Sequence, residues 1–349
     1  MKSHAGKIVI SLALTVLLLY LFLKGVDPQK TRKAMLGASP GWLSASLLLA
    51  LFAFVMRAIR WTWILRPVAR VRFSPAFRAT AAGFAANNLP GKVGEVLRPA
   101  LLSRSERLPF SPLLASIVLE RVLDGATVIF FLLVALWIRP SHRVSLGVLG
   151  LVPAAGLAAV VAATVFSVFR RAQTERFFER LWRLLPARLQ PRARVFAATF
   201  VDGFASLKSP GLLTGIAAGS LAMWFVINVQ IYCVLKAFRL DLPFSASYVV
   251  TAAAVLGLAV PTPGGLGSYQ AAVDQALRGF FGVARETAAG VAILAWVTSF
   301  VLITIIGLVS LAFAGGLKAE AAPESPGRET RDTPPGPGDG GRETTDGRI

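Results

Sequence analysis

Six ionisable side chains interrupt two apolar stretches of this 349-residue chain. They are Lys92, Glu95, Arg98, Glu120, Arg121 and Asp124. Glu120 and Asp124 are four residues apart, which places both carboxylates on one face of a helix. Since charge within a membrane needs a partner of opposite sign, we expect Lys92 and Arg98 to neutralise them. Such a network either binds a charged substrate group or only clamps one helix to another.

Two stretches rich in glycine and proline, 87–95 and 261–267, break the apolar sequence. The residues that interrupt the helices and expose backbone amides are Pro90, Gly91, Gly94, Pro261, Pro263, Gly264, Gly265 and Gly267. Irregular backbone at membrane depth is tolerated only where protein or water satisfies its polar groups, so two breaks predict one shared polar site with hinges. Exposed amides at helix ends favour a phosphate or carboxylate. Neutral hydrogen-bonding groups would come from Asn87, Asn88, Tyr269 and Gln270.

The composition indicates a polytopic membrane protein, with 55% hydrophobic and 16% charged residues. The net charge of +19 resides largely in loops beside apolar runs, where arginines meet anionic lipid head groups. We therefore expect lipid rather than nucleic acid as the partner. The spacing of His4 and His142 predicts no metal site, and no catalytic residues or cofactor are assigned.

Apolar runs predict an all-α fold with six full membrane spans and two re-entrant helical hairpins. The spans are 8–23, 41–56, 113–138, 144–169, 211–235 and 287–317, and the hairpins are 79–102 and 242–281. The apolar run before Lys92 is short for a crossing, which favours a hairpin. Pairs of ordinary kinked spans remain the alternative.

The distribution of lysine and arginine predicts that both termini are cytoplasmic, with residues 57–78 forming a cytoplasmic loop. Under that orientation, residues 41–138 and 211–317 form an inverted repeat within a membrane domain of residues 1–317. Residues 170–209 have arginine-rich amphipathic character and predict an interfacial helical segment on the cytoplasmic side. Residues 318–349 are rich in Pro, Gly and charge, and predict a disordered tail.

Four motifs resemble the lysylphosphatidylglycerol synthase transmembrane region family, also called the flippase-like domain family. They are residues 88–98, Glu120-Arg121 with Asp124, Asp202-Gly203-Phe204, and residues 261–267. The resemblance implies a membrane protein that translocates or handles a lipid or a lipid-linked head group. The synthases of the family append an aminoacyltransferase domain, whereas a short tail follows Gly316 here. Synthesis of an aminoacylated lipid is therefore not predicted.

Three functions follow from these patterns, all in the cell membrane. The first is translocation of an anionic or lipid-linked head group through a groove at the hairpin tips. The second is an integral membrane enzyme that uses Glu95, Glu120 or Asp124 as a base. The third is an accessory scaffold that binds an enzyme of envelope synthesis through residues 170–209.

Overall fold

The computed structural model describes residues 2–89, 93–138, 190, 199–200 and 202–320. These residues form ten α-helices and two short 3₁₀ turns, and this described part contains no strand. The helices are α1 (Lys2–Leu23), α2 (Pro28–Leu36), α3 (Pro40–Leu65), α4 (Phe73–Ala86), α5 (Gly94–Glu106), α6 (Phe110–Ile138), α7 (Pro210–Ala237), α8 (Ser245–Ala259), α9 (Ser268–Phe281) and α10 (Arg285–Glu320). The 3₁₀ turns are Ala205–Lys208 and Pro263–Gly265.

Four helices in the described part are long and apolar enough to cross a membrane: α3, α6, α7 and the Arg285–Ala312 portion of α10. The first two helices are bent by 83° and add a fifth span if they are taken as one unit. The polytopic all-helical fold is thus confirmed. The predicted span 144–169 lies outside the described residues, so the count of six stays a prediction.

The bend between α1 and α2 has a local cause in the sequence. Pro28 occupies the first turn of α2, where its missing N–H costs nothing. The Asp27 carboxylate accepts hydrogen bonds from the backbone N–H groups of Lys30 and Gln29 and thereby caps the new helix. Those two bonds, that of Lys30 first, hold the pKa of Asp27 below its ordinary value. A helix that starts afresh here cannot continue the axis of α1.

The helices from α3 onward repeat one pattern: a long helix, two short helices and another long helix. The first array, α3 to α6, has a core that includes Trp61, Leu65, Ala79 and Leu113. The second array, α7 to α10, has a core of its own that includes residues of all four helices. In each array the two short helices pack on each other.

One glycine in each short pair permits this close packing. A Cβ at Gly83 on α4 would lie 2.9 Å from the carbonyl oxygen of Gly94 and from the Cβ of Arg98, 11 and 15 residues onward. A Cβ at Gly257 on α8 would lie 2.6 Å from the carbonyl oxygen of Ser268 and 3.0 Å from the Cβ of Ala272, at the same two offsets. Both pairs therefore close at a glycine in the equivalent place.

The two arrays interlock. Helices α3 and α7 pack extensively on each other, and one long helix of each array also packs on the short pair of the other. Phe131 and Leu132 of α6 pack on Tyr248 and Val249 of α8. In the reciprocal contact, α10 packs on α4, where a Cβ at Gly307 would clash with the Ala81 carbonyl. Each half thus completes the core of the other.

Two helices extend beyond the ends that the sequence predicted. Helix α3 continues to Leu65, so Arg57 and Arg60 belong to a buried helix and not to a cytoplasmic loop. Helix α10 reaches Glu320, beyond the predicted start of the disordered tail. Of the amphipathic segment, only residues 190, 199–200 and 202–209 are described, and the tail from residue 321 lies outside the described residues.

Candidate functional site

A cluster of buried ion pairs joins α3, α5 and α6. Asp124 Oδ2 lies 2.9 Å from Arg57 Nη1, and Asp124 Oδ1 lies 2.7 Å from Arg60 Nη2. Glu120 Oε2 accepts a hydrogen bond from Arg98 Nη1 at 2.9 Å, and its Oε1 lies within 3.5 Å of three other arginines. The sequence predicts that Arg98 neutralises the acidic residues of α6. In the structure, Arg98 forms an ion pair with Glu120.

Helical spacing produces this geometry. Arg57 and Arg60 are three residues apart on one face of α3, and they meet the two carboxylates that are four residues apart on α6. All four side chains are buried, and Glu120 is fully inaccessible. Buried charges persist only when they are paired and hydrogen-bonded, so this cluster of charges fixes the position where α3 crosses α6.

Aromatic and hydroxyl groups add further contacts to the cluster. Trp224 Nε1 on α7 donates to Asp124 Oδ1 at 2.9 Å, and Arg60 Nη1 donates to Ser220 Oγ at 2.9 Å. The Arg98 guanidinium lies 3.8 Å from the centre of the Trp61 ring, a cation–π contact. The second array therefore takes part in holding the charges of the first.

The cluster carries more positive than negative charge. Four guanidinium groups, of Arg57, Arg60, Arg98 and Arg121, face the carboxylates of Glu120 and Asp124 and, at 4.0 Å from Arg121, that of Glu95. With every group ionised the sum is four minus three, an excess of one positive charge. An anion is the ligand that such an excess favours.

A cavity of about 420 Å³ lies against this cluster. Arg57, Arg121, Asp124 and Glu95 line it, whereas Glu120, Arg60 and Arg98 lie behind the lining. The Arg121 side chain is 43% exposed, in contrast to the buried groups behind it. The cluster thus has a layer that lines the cavity, in which the side chains of Arg121 and Glu95 are accessible and those of Arg57 and Asp124 are almost fully buried, and a second layer behind it.

The two glycine-rich breaks meet at this cavity. The N–H of Gly264 donates to the carbonyl oxygen of Asn87 at 3.2 Å, which links the second tip directly to the first. Gly264 has φ +57°, and a Cβ there would lie 2.5 Å from Asn88 Oδ1, so glycine fits where a side chain would not. Trp296 Nε1 donates to the Gly264 carbonyl at 2.8 Å, and Asn88 Nδ2 donates to Thr304 Oγ1 at 2.6 Å. Each tip is therefore anchored on α10.

The structure brings many of the predicted site residues to the cavity. Those that line it are Asn87, Asn88, Glu95, Arg121, Asp124, Gly264, Gly265 and Tyr269. Gln270 lies elsewhere, because its side-chain oxygen accepts the N–H of Gly267 at the start of α9. The carbonyl oxygen of Pro261 accepts a hydrogen bond from Ser11 Oγ at 2.7 Å, which links α1 to the segment just before the second tip. Pro90, Gly91 and Lys92 lie outside the described residues.

Sequence reasoning missed several polar residues of the site. The predicted span 41–56 ends just before Arg57 and so leaves out Arg57 and Arg60, although the apolar run resumes at Trp61. Trp224, Thr251 and Ser299 gave no signal, since single tryptophan and hydroxyl residues are ordinary in membrane helices. The spacing of Arg57 and Arg60 was the signal that could have extended α3.

The fold and the site define an integral membrane protein of helical hairpins with an internal charged cavity. The chain belongs to the family described as "Lysylphosphatidylglycerol synthase TM region", whose model matches residues 8–307. It is also similar to a UPF0104 membrane protein of Methanocaldococcus jannaschii, with 26% identity over 137 residues. That alignment covers 38% of this chain and 41% of the relative.

Proposed function

We propose that the protein translocates a lipid, or a lipid-linked group, with an anionic head group across the cell membrane. The observation that carries this proposal is the meeting of two hairpin tips at a cavity whose charge cluster has an excess positive charge. The acyl or prenyl chains would stay in the bilayer while the head group enters the cavity. Family membership supports a membrane role of this kind.

The layer of the cluster that lines the cavity would bind the head group. Arg57 and Arg121 present guanidinium groups to the cavity, and a phosphate suits their fork-shaped donor geometry. Asp124 holds Arg57 in place and keeps the total charge low enough for the ligand to leave again. Arg98 and Glu120 act as a clamp that positions α5 against α6.

Alternating access would arise from the two arrays. We propose that α3 to α6 and α7 to α10 have opposite orientations in the membrane, that each short pair is re-entrant, and that both termini are cytoplasmic. The short helices support re-entrance, because 13 to 15 residues at about 1.5 Å each fall short of a bilayer core of roughly 30 Å. Positive-φ glycines at the second tip would serve as the hinge.

Transport of a labelled lipid in proteoliposomes tests this proposal. Phosphatidylglycerol labelled on an acyl chain is reconstituted with the protein, and its movement between leaflets is followed by chemical quenching of the outer leaflet. We expect Arg121→Gln to slow translocation about tenfold, because one charge-assisted hydrogen bond to the head group is lost. The Arg121 side chain is 43% exposed, so the variant should fold normally.

Arg104→Gln is the matched control, since Arg104 is an exposed residue of α5 that does not line the cavity. It should leave the rate unchanged. Equal rates for the wild type, Arg121→Gln and protein-free liposomes would overturn the proposal.

A further inference from the structure

The walls of the cavity differ in charge. Among the described residues, each ionised side chain that lines it belongs to the first array. The polar residues that the second array contributes to the lining are all neutral, and they are Trp224, Gln230, Thr251, Thr262, Tyr269 and Ser299. Asn87 and Asn88 at the first tip add neutral amide groups, so a bound molecule meets both charged side chains and neutral hydroxyl and amide groups.

Two buried polar atoms at the cavity lack a hydrogen-bonding partner within the described part of the chain. Thr251 is 4% exposed, and its Oγ1 makes no hydrogen bond, whereas Thr80 and Thr127 donate to a carbonyl one turn earlier. Asn87 Oδ1 is similarly unpaired at the first tip. A buried unpaired polar atom is unfavourable, so both positions fit a ligand that brings its own hydroxyl groups.

The neutral wall is also prearranged. Gln230 Nε2 donates to Ser46 Oγ and to Ser299 Oγ, each at 3.1 Å, which ties α7 to α3 and α10. Ser299 in turn donates to the Ala295 carbonyl at 2.7 Å. These bonds fix the orientation of the side chains that face the cavity, as a site selective for hydroxyl groups requires.

The cavity is larger than a phosphate alone needs. Its volume of about 420 Å³ lies within the roughly 300 to 1,000 Å³ of sites that hold small molecules. That space accommodates a phosphate together with one ring of sugar size.

We infer that the head group is a phosphate ester of a neutral polyol of sugar or inositol size, an inference that rests on the proposed function. The phosphate binds Arg57 and Arg121, and the polyol binds Thr251, Asn87 and the wall of Gln230 and Ser299. A head group with a free ammonium is disfavoured, because the described residues of that wall include no carboxylate.

Competition between lipids of equal charge tests the inference. The purified protein in phosphatidylcholine nanodiscs is offered phosphatidylinositol or phosphatidylethanol, which have the same phosphodiester charge but differ in hydroxyl groups, and bound lipid is measured by native mass spectrometry. We expect phosphatidylinositol to bind at least tenfold more tightly. Thr251→Val should reduce that preference about three- to tenfold and leave phosphatidylethanol binding unchanged.

Thr251→Val should fold as well as the wild type, since it removes a hydroxyl that has no partner in the structure. Its matched control is Thr80→Val, at a buried threonine away from the cavity, which should retain the full preference. Equal binding of the two lipids, or an unchanged preference in Thr251→Val, would overturn the inference.

Two further arms separate the possible failures. Inositol 1-phosphate in solution should compete poorly with the lipid, and full competition at equal concentration would overturn the lipid as the source of the ester. Selective binding without transport in proteoliposomes would overturn the proposed function and support the polyol site. Transport without preference for phosphatidylinositol would overturn the polyol site and support the proposed function.

Discussion

At the residue scale, Glu120 is the centre of the charge cluster. Its carboxylate is fully buried and has four guanidinium groups within 3.5 Å. A buried ion pair adds little stability compared with an apolar pair, yet the loss of one partner leaves the other charges uncompensated. The cluster is thus sensitive to the removal of a single carboxylate.

We predict that Glu120→Gln lowers the free energy of unfolding by about 3 to 5 kcal/mol. Glu106→Gln, on the same array but only partly buried, should change it by less than about 0.5 kcal/mol. Denaturation in detergent micelles, followed by circular dichroism, measures both. If Glu120→Gln behaved like the control, the cluster would not hold α3, α5 and α6 together.

A double-mutant cycle measures the interaction between Arg98 and Glu120. Arg98→Gln combined with Glu120→Gln should be less destabilising than the sum of the single changes, because the second change removes one of the charges that the first left unpaired. Additive effects would contradict a direct interaction between the two side chains.

At the element scale, the closure of each short helix pair depends on a glycine. Gly257 faces the carbonyl of Ser268 so closely that an added Cβ would lie 2.6 Å from the oxygen, and backbone cannot yield as a flexible side chain can. Gly279 lies exposed on α9 of the same pair and is near only the flexible end of Gln275.

We expect Gly257→Ala to destabilise the protein by about 1 to 3 kcal/mol, because the methyl group forces α8 and α9 apart. Gly279→Ala should be neutral or slightly stabilising, since alanine favours a helix. Thermal unfolding in detergent distinguishes the two. Similar melting temperatures for both variants would show that the pair does not need close packing at Gly257.

The sequence predicted these elements better than the contacts between them. Apolar runs and Gly-Pro breaks located the four long helices and the two short pairs, because length and hydrophobicity are local properties. The charge partners were less predictable. The spacing of Arg57 and Arg60 suits a helix, but their pairing with Glu120 and Asp124 of α6 joins residues far apart in sequence, as does the contact of Gly264 with Asn87.

At the scale of the whole molecule, the proposed inversion of the two arrays and the proposed re-entrance of the short pairs each predict on which side of the membrane certain residues lie. If the arrays are inverted, the loop that follows α5 and the loop that precedes α8 face opposite sides. If both short pairs are re-entrant, neither tip reaches the far surface. Arg107 and Asp241 lie in the two loops, and Leu89, which is 57% exposed, lies at the first tip.

Single cysteines at these three positions, in a Cys233→Ala background, test both statements. A bulky membrane-impermeant maleimide should label Arg107→Cys from one side of the membrane and Asp241→Cys from the other, and Leu89→Cys from neither side. Cys233 is buried and so shielded from the reagent, and its replacement by the slightly smaller alanine removes any remaining background labelling. Labelling of both loop cysteines from the same side would exclude the inverted arrangement. Labelling of Leu89→Cys from the side opposite Arg107→Cys would show that α4 and α5 cross the bilayer completely, and a tip that crosses cannot close a cavity at the midplane.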